Sequence, residues 1–177
     1  LAGDMVVEVK STDPFRVQID MGCPIFDPAA VCVESDAPDL LDLELSLKDG
    51  NTLTVSSLFM GTIHTVLFVD DVEADWIETL GEEICNAPTF AEKTNVNFVK
   101  VLDDHTLQMI TYERGVGMTQ ACGTGACATA VTAARKGLCS RTAEVILPLG
   151  SLKIEIKDDG HVMMEGPSVH VLEGKLY

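Results

Sequence analysis

Basic residues are scarce: 12 Lys and Arg stand against 28 Asp and Glu in 177 residues, for a formal charge of −16. With no basic stripe to neutralise phosphates, a nucleic-acid partner is disfavoured, and an anionic membrane surface would repel the chain. Long apolar runs are missing as well. The longest are broken every few residues, so no segment is expected to span a bilayer, and the first residues lack the cationic-then-apolar order of a secretion signal. There is no C-x-x-C, and His64, His105, His161 and His170 are scattered without ligand spacing, which disfavours a structural zinc site. The six cysteines (Cys23, Cys32, Cys85, Cys122, Cys127, Cys139) fall at irregular spacing in a chain large and apolar enough to do without disulfides. Reduced thiols in a cytoplasmic protein are therefore expected. An initial methionine is absent too; the chain opens at Leu1, and a missing upstream segment is the expectation.

What is present centres on residues 111–137, from Thr111 to Gly137. The stretch opens as a strand, passes through a glycine-rich turn that presents Cys122 between small residues, and becomes an alanine-rich helix closed by Gly137. At a helix start the unpaired N–H groups and the positive dipole end favour a thiolate. The same N–H groups, with Gly123 and Gly125 allowing close approach, suit a carboxylate or oxyanion. From Ala126 to Ala134 the helix carries no charge and no bulky side chain, which suits enclosure by strands on all sides. The acidic field makes a zwitterionic or cationic metabolite an easier guest than a pure anion.

Elsewhere, residues 5–10 and 15–21 alternate apolar and polar around Asp13-Pro14 and read as paired strands. Residues 24–42, with Pro24, Pro28 and Pro38, read as a surface connection and a candidate boundary. Residues 43–47 and 52–58 flank Lys48-Asp49-Gly50-Asn51 as a hairpin. A strand at 64–69 precedes Asp70-Asp71-Val72-Glu73, which resembles a helix start; the helix, with Trp76, Ile77, Leu80 and Ile84 on one face, is expected to end near Cys85, before Pro88. Further strands are expected at 95–102, 107–113, 143–149, 152–157, 162–165 and 169–172. The expected class is α+β, an antiparallel-rich sheet curled around a central helix.

The segments Tyr112-Glu113-Arg114-Gly115-Val116-Gly117 and Ala121-Cys122-Gly123-Thr124-Gly125-Ala126-Cys127-Ala128 closely resemble the diaminopimelate epimerase family of cofactor-independent amino-acid racemases. Asp20-Met21-Gly22-x-Pro24, Met60-Gly61-x-x-His64, Thr94-Asn95-Val96 and Gly166-Pro167 agree in order, so the resemblance covers nearly the whole chain. It implies one half of a pseudo-symmetric fold, each half a sheet around a helix with a catalytic cysteine at its start, and the active site between the halves. Residues 1–14 would be the tail of a missing N-terminal half that carries the second cysteine, and 15–177 the C-terminal domain.

Inverting an α-carbon needs a base on one face and an acid on the other, with fixed donors around the carboxylate. By resemblance, Cys122 is one acid/base thiol, with Glu113 and His64 as the polar partners that set its protonation. Gly123 and Thr124 would bind the α-carboxylate through their N–H groups, Glu113 could also meet the substrate ammonium, and Asn95 and Arg114 match positions used on the distal end of the substrate. No cofactor-lysine motif is evident, in keeping with the family's cofactor independence. One departure stands out: the family has asparagine and proline after Met-Gly where this chain has Thr62-Ile63. That asparagine is a substrate ligand in the family, so Thr62 leaves the amino-acid substrate open between diaminopimelate and another small acid.

Bland readings stand beside these. Cys122 could be a packed cysteine at a tight turn, His64 a satisfied structural histidine, and Glu113-Arg114 a strand-end ion pair. Cys23, Cys32, Cys85, Cys127 and Cys139 are expected in the core, and Met163 and Met164 are expected to pack. A non-catalytic binding module that retains the anion cradle is the alternative of a different class. An isolated half exposes its cleft wall, so self-association as a homodimer is also expected.

Overall fold

A computed structural model describes residues 5–175. Strands β1 (Val7–Thr12) and β2 (Phe15–Asp20) form an edge hairpin. A short 3-10 helix, Pro28–Val31, leads to β3 (Leu43–Ser46), β4 (Thr52–Phe59) and β5 (Ile63–Phe68). Helix α1 (Ile77–Cys85) precedes β6 (Asn95–Asp103), β7 (Thr106–Glu113) and β8 (Gly117–Thr119). Helix α2 (Gly123–Arg135) is followed by β9 (Thr142–Leu147), β10 (Gly150–Ile156) and β11 (Val162–Pro167).

All eleven strands belong to one mixed sheet ordered β1-β2-β11-β10-β9-β7-β6-β5-β4-β3, with β8 added on β7. The ladders β5–β6 and β7–β9 are parallel, and the other pairings are antiparallel. Each parallel joint is crossed by a helix, as same-direction neighbours require: α1 links β5 to β6, and α2 lies between β7 and β9. The expected hairpin turn at 48–51 is present, and residues 103–105 and 158–160 turn β6 into β7 and β10 into β11, with Gly50 and Gly160 at positive φ.

The α-amphipathic logic differs between the helices. α1 buries Ile77, Gly81, Ile84 and Cys85 and exposes Glu78 and Glu82, whereas α2 is buried without a break from Gly125 to Ala133. α2 touches β4, β5, β6, β7, β9, β10 and β11, so small side chains on every face allow strands to approach it closely. One apolar cluster gathers around α2, with Leu58, Val66, Val99, Leu107, Met109, Val145 and Ile154; a second gathers on the α1 side, with Leu45, Val55, Ile84, Val96 and Phe98. The strand period of two separates them. On β6, Val96 and Phe98 face α1 while Asn97 and Val99 lie on the α2 side.

Several expectations fail locally. α1 begins at Ile77, not near Glu73, because Asp71 Oδ1 accepts the Glu73 N–H at 2.9 Å and caps a turn there instead. Residues 24–42 are stitched to the body rather than forming a boundary: Ile25 bridges Phe59, Ser57 N–H donates to Leu40 O at 2.8 Å, and Phe26, Val31, Val33 and Leu40 are buried. Cys23 and Cys32 are exposed rather than core. The expected strand at 169–172 is irregular, with Val169, Val171 and Leu172 each at least 77% exposed, because nothing among the described residues pairs with it.

Candidate active site

Strand parity builds the site. His64 on β5 is cross-strand from Asn95 on β6, and Asn97 is cross-strand from Thr111 on β7. Thr111 shares its face with Met109, which packs against α2, and Glu113 follows at the same parity. Above this polar patch the chain turns into α2. Cys122 is its N-cap residue, in an extended conformation, and the Cys122 carbonyl accepts the first helical bond from Ala126 N–H at 2.9 Å.

A hydrogen-bonded series runs from the sheet to the sulfur. Asn97 Nδ2 lies 3.1 Å from His64 Nδ1, His64 Nε2 lies 3.0 Å from Thr124 Oγ1, and Thr124 Oγ1 lies 3.6 Å from Cys122 Sγ. His64 is completely buried, and that burial, followed by repulsion from the Arg114 guanidinium, lowers its pKa to about 3. It is therefore a neutral imidazole near pH 7 and no proton sink for the thiol. The Cys122 thiol itself is pushed up by burial, against the pull of the Thr124 hydroxyl and the Gly125 N–H, with Glu113 adding repulsion. Helix-start donors thus favour the thiolate as the sequence suggests, but desolvation outweighs them here.

The remaining expected residues fall on the same rim. Glu113 accepts a hydrogen bond from Thr119 Oγ1 at 2.7 Å. Asn95 Oδ1 accepts the Arg114 backbone N–H at 3.0 Å. Arg114 Nη1 donates to Glu92 O at 2.7 Å and Nη2 to Thr62 Oγ1 at 3.0 Å, so the guanidinium is pinned between two loops. The Thr62 turn is tied to α2 in its own way. Gly61 has φ +71°, and a Cβ there would stand 3.3 Å from Thr124 Cγ2. The structure thus gathers Cys122, Glu113, His64, Asn95, Arg114, Thr62, Gly123 and Thr124 around the head of α2. The α2 glycines serve close packing of the protein on itself: a Cβ on Gly125 would meet Asn97 Oδ1 at 2.5 Å, and one on Gly123 would meet Met164 Sδ at 3.0 Å. Cys127 is buried one turn further along, and burial pushes its pKa up to about 12.

The family model of diaminopimelate epimerase matches residues 56–171. This chain belongs to the diaminopimelate epimerase family. The diaminopimelate epimerase of Acidiphilium cryptum is 39% identical over 175 residues, covering 99% of this chain and 61% of that protein. That of Erythrobacter litoralis is 41% identical over 157 residues, covering 89% of this chain and 57% of that protein. The chain therefore spans about three fifths of the length of these curated relatives. Among solved structures, a probable proline racemase from Agrobacterium radiobacter aligns with a TM-score of 0.66 at 13% identity, over 97% of this chain and 58% of that one. A phenazine biosynthesis protein of the PhzF family from Bacillus anthracis aligns at 0.60 and 12% identity, over 98% and 64%. At such identities these two likenesses show the fold.

Asn97 and Thr111, which the structure joins to His64 in one hydrogen-bonded series, were not singled out from the sequence. A signal was available: Asn97 has the parity of Asn95 on a strand whose other central residues are apolar, and a buried amide in such a strand must be satisfied by something specific. Met164 packs as expected, and its sulfur rests on the first residue of α2.

Proposed function

We propose that this chain is the C-terminal part of a cofactor-independent amino-acid epimerase, with diaminopimelate as substrate and Cys122 as one of two acid/base thiols. The observation that carries the reading is the Cys122 sulfur at the head of α2, beside a hydroxyl and a backbone N–H, in a chain of this family. The substrate α-carboxylate would accept from the Gly123 and Thr124 N–H groups, which α2 leaves unpaired at its start. That placement sets the α-carbon against the sulfur and spreads the carbanion's charge onto fixed donors as the proton leaves. Cys122 works one face; a thiol on the other half of the protein works the opposite face, and the two exchange roles as the reaction reverses. Glu113 would hold the ammonium, and Arg114, Asn95 and Thr62 the distal end. In this reading residues 15–177 form the C-terminal domain, and residues 1–14 lead in from the half that supplies the second thiol.

The test is α-proton exchange in heavy water on diaminopimelate, using a protein of the relatives' length that contains this chain. Inversion of the α-carbon, followed in the same assay, should be lost with Cys122→Ala and retained with Cys127→Ala, the latter losing about 1 kcal/mol of stability. Full inversion without the Cys122 sulfur would end the proposal. A second reading keeps the chemistry and changes the amino acid. It is favoured by Thr62, whose hydroxyl is already engaged by Arg114, and a panel of free amino acids in the same assay separates the two.

A further inference from the structure

Asn97 is completely buried, and its amide can be oriented from its partners alone. Thr111 Oγ1 donates to Asn97 Oδ1 at 3.0 Å, and the Thr65 carbonyl, which can only accept, lies 3.3 Å from Nδ2. Turning the amide over would set its oxygen against that carbonyl. The NH2 group therefore faces His64 Nδ1, 3.1 Å away, and that ring nitrogen must accept. The ring hydrogen is then on Nε2, which donates to Thr124 Oγ1. With a lone pair of its oxygen engaged, the Thr124 hydroxyl turns its hydrogen to the Cys122 sulfur, 3.6 Å away.

We propose that Asn97, anchored by Thr111, is a positioning residue for Cys122: it fixes the His64 tautomer so that every donor in the series points toward the sulfur. The result is a one-way relay that stabilises the thiolate in a buried place where desolvation opposes it. Register explains its rigidity, since Asn97 and Thr111 are ladder partners and Gly125 of α2 rests on the Asn97 oxygen. The other ionisable groups around this series are Glu113 from β7, Arg114 just after it and Cys127 on α2. None of them takes part in the relay bonds. The functional meaning rests on Cys122 being an acid/base thiol, but the relay is measurable without turnover.

Two measurements test it. In protein with 15N-labelled histidine, the His64 ring, assigned by difference against His64→Gln, should show hydrogen on Nε2 alone; hydrogen on Nδ1 overturns the relay. The pH profile of Cys122 alkylation by iodoacetamide, read by peptide mass spectrometry, should shift up by about one unit in Thr124→Val. It should return in Thr124→Ser and move upward in Asn97→Leu, while the Cys139 profile stays in place. An unmoved Cys122 profile in Thr124→Val or in folded Asn97→Leu overturns the assignment, and if Asn97→Leu does not fold, the ring signal and Thr124→Val decide. Loss of the epimerase reading would leave both results unchanged, so the two failures are distinguishable.

Discussion

At the scale of single residues, the site depends on contacts that leave no spare volume. Gly125→Ala would drive a methyl into Asn97 Oδ1, and it should cost about 2 kcal/mol in urea unfolding. An unchanged midpoint would show that α2 can slide off β6. His64 gives a signed pH effect. Its folded pKa lies near 3 and its unfolded value near 6.5, so below pH 6.5 the unfolded chain takes a proton the folded one refuses. Stability therefore falls as pH drops from 6.5 toward 3, and His64→Gln should remove that part of the slope; an unaltered acid limb would count against a neutral buried ring. That Cys122, Glu113 and Arg114 lie close together was legible in the sequence because they sit in one contiguous stretch. Asn97 was not, because its role comes from a cross-strand register with Thr111 and from a ring on β5. Cys23 and Cys32 were misjudged because a cysteine's apolar character does not say which way its loop faces.

At the scale of elements, hairpins were legible wherever Gly or Asp marked a turn, and α2 wherever small residues ran without charge. The start of α1 was not, since Asp71 serves an Asx turn as readily as a helix cap. The irregular segment after β11 was not either, since alternation marks a strand only if a neighbour exists to receive it. One contact between elements titrates. His161, beside the β10–β11 turn, places Nδ1 3.0 Å from Asp20 at the end of β2. The hydrogen bond to Asp20 raises the His161 pKa, and the hydrogen bond from His161 lowers that of Asp20. The pair's contribution is complete below the usual imidazole value of 6.5 and disappears as pH rises through the raised one; on the acid side it goes as pH falls through the lowered carboxylate value. The stability difference between the protein and His161→Asn should thus shrink from pH 6 to pH 8; a difference independent of pH would mean the contact is packing.

At the scale of the whole molecule, the order of strands in space departs from their order in the chain. The α+β class could be read from composition and pattern; the placement of β11 between β2 and β10 could not, because no local signal encodes a pairing between strands so far apart in sequence. That ladder is closed by Arg16 and Glu165, whose side chains meet at 2.9 Å across 149 residues. Closing so large a loop gains contacts only after the intervening strands have consolidated. The β6–β7 hairpin, by contrast, needs no distant partner. In pulsed hydrogen exchange during refolding, amides of β6 and β7 should be protected before those between β2 and β11, and simultaneous protection would contradict this order. The seam between β2 and β11 is thus a clasp fastened last, and a nascent chain emerging from the ribosome must wait for β11 before that side of the sheet can close.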